Sequence, residues 1–122
     1  MKKLEVFQRN CLRSILRIFL PNVLSNHDLY LRTSLSPISE VIRRKRWRCI
    51  GQVLRMPNTM HANVALYWTP DGKRKRGRPK ETWRRTMTRE MKERGWFWNF
   101  LEIQAKDRLQ WRSMIEALIM LQ

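Results

Sequence analysis

Leu4, Phe7, Cys11, Leu12, Ile15, Leu16 and Phe19 recur three and four positions apart, the spacing of one face of an α-helix. They predict a first helix over residues 3–19, ended by Pro21. Ser25 followed by Asp28 has N-cap form and predicts a short helix finishing near Arg32. Ser36-Pro37 opens a long helix running to about Met56, with Ser36 as cap, Pro37 in the first turn and Pro57 as the stop. On that helix Ile38, Ile42, Cys49 and Val53 share a stripe with Lys45. Either the lysine stem snorkels along the apolar face or the helix departs from this register. Trp47, Ile50 and Leu54 point elsewhere, so the second half is expected to be buried on several sides.

The pattern weakens over residues 58–68, which fit a short helix followed by an extended Ala65-Leu66-Tyr67-Trp68. Thr69-Pro70-Asp71-Gly72 is a turn sequence. Pro79 starts a helix to about Arg94 that Gly95 ends, with Trp83, Met87 and Met91 as its apolar stripe and Arg84, Arg85, Arg89 and Lys92 around the other side. Glu81 and Arg85 stand at i,i+4 spacing and are expected to pair. Asn99 with Glu102 and Asp107 with Gln110 have capping-box spacing. They predict helices over 100–106 and 108–121, the last with Leu109, Trp111, Ile115, Leu118 and Ile119 as its apolar face. Strand signals are few. The expectation is an all-α domain of five to six helices around one small core with a long basic loop. Its sections are residues 1–35, 36–57, 58–80 and 81–122, with no internal repeat.

Charge changes this picture more than any other property. The 122 residues carry 26 Lys/Arg against 10 Asp/Glu, a net of +16, and the excess is concentrated. Residues 43–94 hold 17 basic and 4 acidic groups, a net of +13, while the other 70 residues carry only +3. A basic block of this density gains free energy by displacing counterions from a polyanion, so DNA or RNA is the expected partner. Residues 1–20 are amphipathic, but Arg17 interrupts their apolar run, so no transmembrane span or signal peptide is expected, and no membrane partner. Forty-three per cent apolar residues and six Trp are enough for a modest core, and Trp47, Trp68, Trp83, Trp96, Trp98 and Trp111 are all expected to fill it. For Trp47 and Trp83, both beside basic residues, stacking on unpaired bases is the alternative.

Catalytic chemistry does not assemble. The acids are spread without an Asp-Asp pair that could hold two metal ions, and no phosphate-cradling Gly-rich loop ends in Lys-Ser/Thr. His27 and His61 are isolated, and Cys11 and Cys49 fit free buried thiols better than a zinc site or a nucleophile. The chain is therefore expected to be no enzyme in isolation and to need neither metal nor cofactor.

One segment has a form of its own. In Lys73-Arg74-Lys75-Arg76-Gly77-Arg78-Pro79-Lys80 six of eight residues are cationic. Gly77 lets the backbone lie flat on a surface, and Pro79 turns the chain away directly after Arg78. The Arg-Gly-Arg-Pro core with basic flanks resembles an AT-hook, a peptide that enters the minor groove of A·T-rich DNA. On that likeness Arg76 and Arg78 would enter a groove, and Lys73, Arg74, Lys75 and Lys80 would reach phosphates. Arg43, Arg44, Lys45, Arg46, Arg48, Arg84 and Arg85 would extend the track. A solvated basic loop, or a nuclear-import signal, fits the same residues.

The order of motifs carries a wider resemblance. Phe7-Gln8-Arg9-Asn10-Cys11-Leu12-Arg13-Ser14-Ile15-Leu16 is followed by Ser25-Asn26, Arg46-Trp47-Arg48-Cys49-Ile50-Gly51 and Val53-Leu54-Arg55-Met56-Pro57. Ala65-Leu66-Tyr67-Trp68, the basic block, Thr82-Trp83-Arg84-Arg85, Ala105-Lys106-Asp107-Arg108 and Trp111-Arg112 complete the series. It resembles the C-terminal region of the endonuclease–reverse transcriptase polyproteins of non-long-terminal-repeat (LINE-type, RTE-like) retrotransposons, over nearly the whole chain. Gln52 departs from that pattern, which commonly has His after the Gly. The resemblance implies a segment beyond the polymerase that holds element RNA or target DNA, with the polymerase domain as a further partner. Its setting would be nuclear or a cytoplasmic ribonucleoprotein. A structural or assembly module, or a remnant of the element, is the alternative.

Overall fold

The computed structural model describes residues 1–77 and 81–120. Seven α-helices are formed, and no strand occurs among the described residues: α1 Lys2–Ile15, α2 Asn26–Thr33, α3 Ile38–Arg55, α4 His61–Tyr67, α5 Trp83–Glu93, α6 Trp98–Ala105 and α7 Arg108–Met120. The chain is all-α, as expected, with one helix more than the pattern suggested. The chain divides into two compact units, residues 1–48 with 115–122 and residues 49–114, each with buried side chains of its own.

In the first unit α1 stops earlier than Pro21 would require. Arg17 adopts φ +56°, the Arg17 amide donates to the Ser14 carbonyl at 3.1 Å, and the Ile18 amide donates to the Arg13 carbonyl at 2.9 Å. This is a Schellman termination with arginine in the position glycine usually takes. Beyond it the Arg13 guanidinium donates to the Leu24 carbonyl (3.1 Å) and the Asn26 side-chain oxygen (2.8 Å), which ties the end of α1 to the start of α2. Ser25 caps α2 as expected, accepting from the Asp28 amide at 3.1 Å and donating to its carboxylate at 2.5 Å.

Gln8, not Ser36, completes the start of α3. Its amide oxygen accepts from the Ile38 N–H at 2.8 Å, while its amide nitrogen donates to the Ser36 carbonyl at 3.1 Å. Glu5 accepts from the Ser39 hydroxyl one turn further along. These polar ties carry α1, because no α1 residue is fully buried and Leu4, Phe7 and Ile15 are exposed. Leu29, Trp47, Ile115, Leu118 and Ile119 are the buried apolar residues of this unit.

The second unit buries Ile50, Leu66, Met87, Met91, Leu101, Ala105 and Trp111. Along α3 the buried line is Trp47, Ile50 and Gly51, and both Lys45 and Cys49 are exposed. The helix is regular; its buried face is rotated away from the stripe that contains Lys45. Cys49 is thus an exposed free thiol and Cys11 a half-buried one. The 58–68 segment forms α4 through Tyr67, so Ala65-Leu66-Tyr67 is helical rather than extended.

Side chains satisfy helix ends here too. The buried Asn63 amide donates to the Val53 (3.1 Å) and Met56 (3.4 Å) carbonyls at the end of α3, and Arg55 donates to the Ala105 carbonyl at 2.9 Å at the end of α6. Burial, and then the nearby charge of Arg108, pull the Arg55 pKa below its ordinary value. Asp107 caps α7 as expected, accepting from the Leu109 (2.8 Å) and Gln110 (3.2 Å) amides. Asn99 caps nothing: α6 begins at Trp98 without a side-chain cap. Leu109, expected on the apolar face of α7, is exposed.

Gly51 packs directly against the Trp111 indole, which any Cβ there would overlap. Gly51→Ala is expected to lower the unfolding free energy by about 1–3 kcal/mol, the range for overpacking a core. Urea denaturation of the two chains measures it.

Candidate nucleic-acid interface

The basic block divides into a part the fold uses and a part it leaves open. Arg44 makes a two-pronged pair with Glu116, Nε to Oε1 and Nη2 to Oε2 both at 3.1 Å, and Arg48 reaches the same carboxylate at 3.4 Å. Arg43, Arg44 and Arg46 are half-buried, and Lys45 and Arg48 are exposed. Of the α3 residues expected to extend the basic track, only Lys45 and Arg48 are exposed, and Arg48 is already turned toward Glu116.

Residues 73–77 are different. Lys73, Arg74, Lys75, Arg76 and Gly77 are all exposed, and none of these cations has a carboxylate partner among the described residues. Gly72 at φ +97° turns the chain into this segment, and Gly77 at φ +138° holds a backbone conformation that L side chains rarely adopt. Arg78, Pro79 and Lys80 lie outside the described residues.

From here the chain enters α5, which starts at Trp83, later than Pro79 suggests. Thr82 is its N-cap, the hydroxyl accepting from the Arg85 amide at 3.3 Å. At the other end Gly95 (φ +67°) closes a Schellman turn, with the Gly95 amide donating to the Lys92 carbonyl at 3.1 Å and the Trp96 amide to the Met91 carbonyl at 2.9 Å. Met87, Glu90 and Met91 are buried, which fixes the rotation of the helix and leaves Arg84, Arg85, Thr88, Arg89 and Lys92 on its outer side. Trp83, expected in the core, is 47% exposed as the first residue of α5. Trp68 is likewise exposed, at 64%, while Trp47 and Trp111 are buried and Trp96 and Trp98 half-buried.

These elements enclose an open depression of about 490 Å³, lined by Arg74 from the loop and by Thr82, Arg84, Arg85, Thr88, Arg89 and Lys92 from α5. Five cations thus meet around one hollow. Among the described residues Glu81 pairs with Arg89, at 3.2 Å between two exposed side chains, and not with Arg85 as the i,i+4 spacing suggested. Glu81 also accepts from the Thr86 hydroxyl at 3.3 Å, which draws it along the helix toward Arg89. Arg74, Arg85 and Lys92 have no carboxylate partner among the described residues.

One lining residue, Arg84, is tied to the end of α4. Arg84 donates to the Tyr67 carbonyl at 3.3 Å, the Tyr67 hydroxyl donates to Glu102, and the Tyr67 ring meets Trp98 edge-on with centroids 5.9 Å apart. Basic residue types and helical spacing made the α5 face visible in the sequence. The part played by Thr82 and Thr88, and the meeting of Arg74 with Arg89 and Lys92, were not, since they depend on where the loop returns. No group of three or more His, Cys, Asp or Glu that could hold a metal ion occurs among the described residues, and among them no helix is long and apolar enough to cross a membrane.

Comparison with family models, with curated proteins and with solved structures finds no match.

Tyr67 gives this site a pH signature. Desolvation by burial, then the hydrogen bond to Glu102 and that carboxylate's charge, push its pKa up to about 12, against a smaller opposing pull from Arg84. A phenol whose pKa is raised on folding adds stability below its ordinary value of 10.0 and loses it as the pH climbs toward 12. Alkaline titration followed by tyrosinate absorbance should show a transition near pH 12 that vanishes in Tyr67→Phe.

Proposed function

We propose that this chain is a nucleic-acid-binding helical domain whose contact surface is residues 73–77 together with the outer face of α5. One observation carries the reading: Arg74, Arg84, Arg85, Arg89 and Lys92 converge on one hollow where Glu81 is the sole opposing carboxylate among the described residues. Guanidinium groups so placed match phosphate oxygens in charge and geometry, and the threonine hydroxyls between them add neutral donors. On the same reading Arg76 and Arg78 enter a groove, a role that rests on the sequence motif. The ordered motifs shared with RTE-like polyproteins support a specific setting, in which this surface holds element RNA or target DNA beside the polymerase and performs no catalysis itself.

An assembly module is the second reading. It is favoured by the apolar side chains left exposed on the N-terminal segment, with Phe7 at 67%, Ile15 at 75% and Phe19 at 60%. Self-association abolished by Phe7→Ser, without measurable nucleic-acid binding, is the result that selects it.

Fluorescence anisotropy with a labelled duplex over a salt series tests the first reading. Neutralising about six phosphates corresponds to a slope of log K on log salt of roughly −5, and Arg85→Gln with Arg89→Gln should make it shallower by about 2. A slope near −1, or no binding at low salt, overturns it.

A further inference from the structure

Directly beyond the cationic hollow lies a second one of about 450 Å³, lined by Met91, Trp96, Phe97, Trp98 and Asn99, and it shares Thr88 and Lys92 with the first. We propose that this aromatic hollow is a base-stacking subsite, so that the strand bound on α5 is single-stranded and places an unpaired base between Phe97 and its tryptophan neighbours. The inference rests on the nucleic-acid reading above and adds the form of nucleic acid to it.

Three observations support it. Phe97 is 72% exposed, a large ring held in solvent at the mouth of a depression. It is held there by the chain itself: the Gly95 turn ends α5, and Phe97 is the extended residue (φ −121°, ψ 153°) that precedes the first turn of α6. Trp98 is braced from behind by the Tyr67 ring, whose hydroxyl is fastened to Glu102, so the platform is set before any ligand arrives. Adjacency supplies the occupant. Lys92 and Thr88 belong to both hollows, so a phosphate held by Lys92 has its own base within reach of the rings. Stacking on such rings tolerates any base, because every base has a π-face. An apolar peptide would fill the aromatic hollow equally well but would gain nothing from the five cations beside it.

The test compares three labelled ligands: a single-stranded oligonucleotide, an abasic strand of the same length and charge, and a duplex of the same length, with DNA and RNA versions of the first. The base-bearing strand is expected to bind about tenfold more tightly than the abasic one, to quench tryptophan fluorescence, and to lose that advantage in Phe97→Ala. Duplex affinity should be unchanged in Phe97→Ala, whereas Lys92→Ala weakens every ligand. Equal affinity for abasic and base-bearing strands overturns the stacking subsite while leaving the phosphate-binding surface in place. Absence of binding to all three overturns both. Should Phe97→Ala fail to fold, the abasic comparison on the unaltered chain still decides. The DNA and RNA arms identify which strand the subsite accepts.

Discussion

Carboxylates are scarce in this chain, and half of them are taken up in holding the fold. Ten acids face 26 cations. Glu116 holds Arg44 and Arg48, Glu5 accepts from Ser39 and lies near Arg9, Glu102 fastens Tyr67, and Asp28 and Asp107 serve at helix starts. Each is taken up by a contact that joins elements or completes a helix end. Of the other five, Asp71, Glu81, Glu90 and Glu93 lie within the stretch 43–94 against 17 cations, and Glu81 meets Arg89 there. Self-repulsion between such groups disfavours the compact state and is relieved when counterions or a polyanion gather around them. The cationic surface thus follows from where the fold has placed its acids as much as from the number of arginines.

The same shortage explains how polar contacts hold elements that apolar packing leaves loose. No α1 residue is fully buried, yet Gln8 satisfies both sides of the chain at the start of α3 and Arg13 closes the loop to α2. Neutral amides and arginines take over capping work that a more acidic chain could leave to aspartate. Arginines in this protein therefore differ in kind. Arg44 and Arg55 are bound into the fold by a carboxylate and a helix-end carbonyl, while Arg85 and Arg74 are not. Counting basic residues in the sequence cannot separate the two groups, because the distinction lies in partners 50 and 72 positions away.

Much of the secondary structure was legible for local reasons. Ser25, Asp107, Gly95 and Pro57 each act within a few residues of their own position, and each does what its side chain or backbone dictates. Errors arose where tertiary placement overrode the local pattern. Pro21 can end a helix, but α1 had already ended four residues earlier at Arg17, whose left-handed backbone no propensity argument favours. Trp83 and Leu109 have the right spacing for an apolar face, but both lie in the first turn of their helices and are exposed. The Lys45 stripe failed for a related reason: α3 has apolar residues on several sides, so periodicity alone could not say which side is covered.

The candidate site was legible to the same extent. Helical spacing gathered Arg84, Arg85, Arg89 and Lys92 on one face, and composition marked the loop before them. Two steps were invisible. The loop brings Arg74 back onto that face, which is long-range geometry. Trp96 and Trp98 were expected in the core as large apolar residues and Phe97 carried no expectation, whereas the Gly95 turn places Phe97 in solvent and leaves both tryptophans half-buried. An aromatic side chain in a highly charged chain has two possible roles, to fill a core or to face an aromatic ligand, and residue type does not distinguish them. Here the deciding feature is backbone: a left-handed glycine ends α5 one residue past its C-cap, so the next three rings cannot continue the Met87–Met91 stripe and instead form a wall beside Lys92.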